Sequence, residues 1–234
     1  MKEANYMQFQ LILYLLAFIL IIVAQVNVQG VYSKFKTVGN ERNLTGAQVA
    51  REILDRNGLQ DVAVEVSNGG ILSDHYDPTR KIVRLSSDIY YNTSIASISV
   101  AAHEVGHAIQ HKEKYGAIAL RNKLLPAANI ASKLGWISLI AGLMLIDSIP
   151  YLFYMGISML VVIAIFQLVT LPVEINASTR AVRLLGDYSM IYPEEKPYVE
   201  KMLRAAAFTY IAALVATLAN ILRFILIANS RRRD

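Results

Sequence analysis

Residues 11–24, LILYLLAFILIIVA, form an unbroken apolar run inside a longer stretch, residues 4–33, that carries no charge. With its flanks the run is long enough to cross a hydrocarbon core of roughly 30 Å as a helix. The chain has 234 residues, 55% of them hydrophobic, a composition too apolar for an ordinary soluble domain. A multi-pass membrane protein is therefore expected. Lys2 is the one basic residue ahead of the run and no small-x-small site follows it, so the segment is read as a retained span and not a cleaved leader.

Two more apolar segments, Leu134–Ile149 and Tyr151–Val173, are separated by Asp147, Ser148 and Pro150 and predict a helical hairpin. A last span runs from Ala205 to about Ala228, with Arg223 near its end placed to snorkel toward the interface. The expected architecture is mainly α, about four transmembrane helices with a small α+β zincin-like domain inserted between the first and second. By residues this gives 1–33 as helix 1 and its flanks, 34–133 as the polar domain, 134–173 as the hairpin, 174–204 as a polar connection, and 205–234 as helix 4 with a basic tail.

The net charge of +5 does not indicate nucleic acid, because the basic residues are spread along loops instead of clustering with aromatics. Four spans put residues 34–133 and 174–204 on one side, with Lys34, Lys36, Arg121, Lys123, Lys133, Arg180 and Arg183 near the spans, against Lys2 and Arg231 to Arg233 on the other. The positive-inside rule places the first side in the cytoplasm. With no cysteine, a thiolate metal site and a disulfide framework are both excluded.

Within the polar segment, Thr45 and Gln48 have capping-box spacing, Val49, Ile53 and Leu54 form an apolar stripe, and Gly58 suits the position after the helix end. Residues Val62–Val66 and Lys81–Leu85 alternate and predict two strands joined by a long turn. The second would lie directly before the next helix and offer an exposed edge to an extended peptide. That helix is predicted from Thr93 to about Lys114, with Thr93 or Ser94 at its start.

In the middle of it residues 103–107 read HEVGH. Two histidines four residues apart project from one side of a helix, roughly 6 Å apart, and can bind one tetrahedral ion. Glu104 points elsewhere and is placed to act as general base on water beside the metal. Gly106, lacking a side chain, would admit backbone or substrate at close range.

A catalytic zinc ion takes three protein ligands and keeps one position open. His111 lies about 12 Å along a straight helix from His103, too far to share an ion, and reads as a surface or supporting residue. His75, in the inter-strand turn, is either solvated or a substrate contact. Glu174 is the better candidate: it ends the third apolar segment, where a carboxylate needs a cation. Pairing with Arg180 or Arg183 is the alternative.

The octapeptides 103–110, HEVGHAIQ, and 174–181, EINASTRA, together with residues 73–78, SDHYDP, resemble the YugP-type neutral zinc metallopeptidases, bacterial membrane proteins similar in logic to the gluzincins of the HtpX type. The likeness covers nearly the whole chain. It implies Zn2+ as cofactor, His103, His107 and Glu174 as metal ligands, and Glu104 as the catalytic base of a zinc metalloendopeptidase. Two positions depart from the pattern. HtpX-type proteins carry an aspartate four residues after the third ligand, where this chain has Ser178, and an acid is expected two residues after it, where this chain has Asn176.

The expected partners are a polypeptide substrate, membrane or membrane-proximal, and the lipid bilayer, with no nucleic acid. His75, Tyr76 and Tyr210 are the candidates for stabilising an oxyanion. Two rivals stand beside this expectation. An intramembrane protease of the site-2 type would need the motif inside a span and a Leu-Asp-Gly ligand, which the sequence lacks. A non-catalytic membrane scaffold with a structural zinc site would have no use for Glu104.

Overall fold

In the computed structural model, residues 2–70 and 73–231 are described, with side chains over 8–70 and 73–229. The side chains of Lys2 and Arg231, and the whole of Arg232 and Arg233, lie outside the described residues. The elements in chain order are α1 (Lys2–Lys36), α2 (Gly46–Arg56), β1 (Ala63–Val66), β2 (His75–Asp77), β3 (Ile82–Leu85), α3 (Ser87–Tyr91), α4 (Ile95–Lys112), α5 (Gly116–Met144), α6 (Pro150–Asp187) and α7 (Lys196–Arg231). Helices α1, α5, α6 and α7 are long and apolar enough to cross a membrane, and α4 is not among them.

The chain divides into two compact units. The first contains Met1–Gln25, Leu120–Leu171 and Thr209–Asp234. Helices α5 and α6 follow one another across a short connection here, and α5 begins at Gly116, well before hydropathy alone would start it. A Cβ on Gly142 would lie 2.3 Å from the backbone nitrogen of Phe153, so the missing side chain lets the two helices touch. Phe153 meets Phe224 edge to face at 6.0 Å, and the Arg223 guanidinium lies over the Tyr14 ring at 4.7 Å. The outward face of α1 presents Leu11, Leu16, Phe18 and Ile19, about half exposed, as a lipid-facing helix would.

The second unit contains Val26–Ala119 and Pro172–Phe208. Its core is built on the fully buried Phe35, Ile53, Leu54, Leu85, Ile89, Ile95, Ile98, Leu185 and Met190. Helix α2 starts as its sequence dictates: Gln48 N donates to Thr45 Oγ1 at 3.2 Å and Thr45 N to Gln48 Oε1 at 2.8 Å. Its stripe of Val49, Ile53 and Leu54 is wholly buried, and Gly58 follows at φ +65°. Buried Asn40 ties the incoming loop to the start of α4, with its backbone N–H donating to Thr93 O at 2.8 Å and its side-chain Oδ1 accepting from Leu44 N at 2.9 Å. The Glu195 carboxylate, 4% exposed, accepts from Glu41 N at 3.0 Å and Tyr192 N at 2.8 Å, fastening the segment before α7 to the segment after α1.

The sheet corrects two expectations. Residues between the two predicted strands are not all turn, because His75–Asp77 form β2, antiparallel to β3 with Tyr76 opposite Val83. The predicted strands pair in parallel, Ala63 opposite Ile82, giving the order β1-β3-β2. The strand expected to offer an edge beside the motif helix is therefore the central one. Its backbone groups are taken on both sides, α3 intervenes before α4, and the edges belong to β1 and β2.

Candidate metal centre

Helix α4 carries the HEVGH motif in a setting that is almost entirely buried. Ser94 caps it, accepting from Ser97 N at 3.1 Å, and Ile95, Ile98, Ala101, Ala102, Val105 and Ala108 are fully buried against the unit's core. The helix also meets α6. Gly106 makes this contact: a Cβ there would stand 2.9 Å from Ala177 O and 3.2 Å from Ala177 Cα. The close approach anticipated at this glycine is thus to the backbone of α6.

That approach sets Glu174 against the two histidines. Glu174 Oε2 lies 3.3 Å from His103 Nε2 and 3.6 Å from His107 Nε2. The imidazole rings are 4.8 Å apart and nearly perpendicular, at 85°. All three ligand atoms lie within 4.8 Å of one another, and the group could hold a metal ion. Ligand atoms about 2.0–2.2 Å from a tetrahedral centre stand roughly 3.3–3.6 Å apart, so both glutamate–imidazole spacings fit zinc. Glu174 is 2% exposed and His107 9%.

The field at this group favours positive charge. Burial opposes charging of His107 and is the largest single influence on it, yet hydrogen bonding to Glu174 and the charges of Glu104 and Glu174 leave its pKa raised above the usual histidine value. A proton and a metal ion would compete for the same place. Arg180 and Arg183 pair elsewhere: Arg180 with Glu113 at 2.6 Å, and Arg183 with Asp187 at 3.9 Å.

Glu104 is buried, at 9% exposure, and its charge is felt on both His107 and Asp74. Burial pushes the Asp74 carboxyl up, against the bonds it accepts from Ser86 N at 2.7 Å and Ser86 Oγ at 3.1 Å. His111 is not in the metal-binding group; its Nδ1 contacts the Tyr76 hydroxyl at 2.9 Å. His75 is exposed, with Nδ1 2.8 Å from Ser73 O. Tyr210 belongs to the other unit.

Behind the histidines stand groups whose part the sequence alone does not disclose. His103 Nδ1 meets Ser178 Oγ at 3.1 Å, and His107 Nδ1 meets Gln110 Oε1 at 3.0 Å. Gln110, wholly buried, is bonded in turn to Val173 O at 2.8 Å and Asn176 Oδ1 at 2.9 Å. Its spacing from His107, three residues along one helix face, is the signal that could have identified it.

Among known proteins, a 48% identical relative from Bacillus subtilis (strain 168), described as "Putative membrane protease YugP", aligns over 204 residues, 87% of this chain and 89% of its own. No solved structure matches. The family described as "Putative neutral zinc metallopeptidase" matches residues 10–229. A multi-pass membrane protein with a buried His-His-Glu group, the chain belongs to this zinc metallopeptidase family.

Proposed function

We propose that the protein is a membrane-bound zinc endopeptidase in which His103, His107 and Glu174 hold the metal and Glu104 is the general base. The observation that carries this reading is the convergence of Glu174 Oε2 on both Nε2 atoms at 3.3 and 3.6 Å. When bound, zinc supplies a Lewis acid that makes water acidic near neutral pH and polarises a peptide carbonyl. Glu104 takes the proton released as water attacks and hands it to the departing amine. Burial of the group excludes bulk water and strengthens each of these interactions.

The substrates are membrane or membrane-proximal polypeptides, a reading supported by Glu174 following directly on the apolar segment of its own helix. The basic residues of the second unit support a cytoplasmic site. A purely structural zinc would call for a fourth protein ligand, whereas the group has three members among the described residues. The position of the motif in α4, outside the four membrane-length helices, argues against the intramembrane alternative.

The test is Glu104→Gln, assayed for zinc content and peptide hydrolysis on the detergent-solubilised full chain. Zinc is expected to stay while hydrolysis falls about 10²–10⁴-fold. Hydrolysis at the wild-type rate would remove Glu104 as the base.

A further inference from the structure

Asn176 and Ser178 follow Glu174 within little more than one turn of α6. Neither is idle. Arg180 Nε, which can only donate, lies 2.8 Å from Asn176 Oδ1, so that atom is an oxygen acting as acceptor. Gln110 directs its amide nitrogen to the same oxygen at 2.9 Å and to Val173 O at 2.8 Å, a backbone carbonyl that can only accept. Both amide hydrogens of Gln110 are thereby committed, and its orientation is fixed. Its Oε1 must face His107 Nδ1, at 3.0 Å, as an acceptor. It follows that Nδ1 of His107 carries a proton, leaving Nε2, the atom that faces Glu174, as the one that would take a metal ion. The far end of this chain is the Arg180–Glu113 pair at 2.6 Å, with Arg180 largely buried.

We infer that Gln110, held by Asn176 and Arg180, is the positioning residue that fixes the metal-binding tautomer of His107, with Ser178 supporting His103 by the same Nδ1 contact. The inference rests on the reading of His103, His107 and Glu174 as ligands. The partner of each imidazole Nδ1 is neutral, since the charges of Arg180 and Glu113 enter only through amides. Neutral partners leave the imidazoles less basic than carboxylates would, so the centre depends on orientation more than on added charge.

The experiment measures zinc affinity of the solubilised full chain by competition with a chromophoric chelator, a readout independent of hydrolysis. Gln110→Met keeps the length of the side chain and removes the acceptor; it is expected to weaken zinc binding about 10–100-fold. Asn176→Leu, at a half-buried position, should weaken it in the same direction, while Asn176→Asp, which retains an oxygen for both Arg180 and Gln110, should restore affinity to within about threefold of wild type. Wild-type affinity in Gln110→Met overturns the inference. If that variant does not fold, the Asn176 pair decides, and equal losses in Leu and Asp overturn it as well. Glu174→Ala separates the two readings: if it leaves zinc binding intact, the ligand assignment itself fails, whereas its loss of zinc beside an unaffected Gln110→Met sinks only this inference.

Discussion

Replacing Gly106 with alanine probes whether the contact between α4 and α6 positions Glu174, the proposed third ligand. The new Cβ would stand 2.9 Å from Ala177 O, and ordinary contact begins at 3.4 Å, so the α6 backbone must retreat by about 0.5 Å. The obstructing atom is main chain and cannot swing aside. Glu174 lies less than one turn earlier on that helix and moves with it, yet metal–ligand distances tolerate only about 0.2 Å. Overpacking costs ~1–3 kcal/mol and alanine returns ~1 kcal/mol of helix propensity, so metal-free stability should fall by no more than about 2 kcal/mol. Zinc affinity, by contrast, should drop about 10–100-fold. Chelator competition and thermal melting of the stripped protein measure the two effects separately. Gly186, also in α6, serves as the control: a Cβ added there would meet nothing within 4 Å, and Gly186→Ala should leave zinc binding unchanged. Wild-type zinc affinity in Gly106→Ala would refute the idea that this approach sets the geometry.

Stripping zinc from the wild-type protein should lower its stability by ~4 kcal/mol relative to a sample with free zinc a thousandfold above Kd, seen as a fall in melting temperature; no shift would mean the folded state does not bind the ion. Thr45→Ala removes the oxygen that caps α2 and should cost ~1 kcal/mol by denaturant unfolding without altering zinc content. The Asp77 carboxyl is held below its usual range, chiefly by the backbone N–H of Arg80 and with help from that of Thr79, although desolvation works the other way. A depressed carboxylate contributes stability above its unfolded pKa of about 3.9 and loses it as pH falls through the lower folded value. In Asp77→Asn that part of the acid dependence should vanish, which melting curves from pH 6 downward would detect; an unchanged profile would count against it.

Much of the site was legible because its signals are local. The spacing of His103 and His107, the isolated carboxylate of Glu174 at the end of an apolar run, and the capping pair Thr45–Gln48 each follow from residue type and short-range geometry. What escaped was non-local. Strand β2 has three residues, His75–Asp77, too few for alternation to register, and its pairing with β3 is what moved the edge away from the strand before the motif. Hydropathy ended the third span at Val173, whereas hydrogen bonding continues α6 to Asp187 through polar residues whose partners lie on α4. Gln110 carries no hydropathic or charge signature, and its importance arises only when Val173 and Asn176 arrive beside it.

The second unit is assembled from Val26–Ala119 and Pro172–Phe208, with residues 120–171 made in between. A chain still being synthesised therefore displays both imidazoles before its carboxylate exists, for several seconds at roughly 5–20 residues per second. During that interval a divalent ion would find two nitrogens alone, and a ribosome-bound or truncated product ending before α6 lacks the third member of the group. Completion of the His-His-Glu group is thus deferred until the third membrane-length helix has been made, an ordering in time that comes from nothing more than where one glutamate falls in the gene's reading direction.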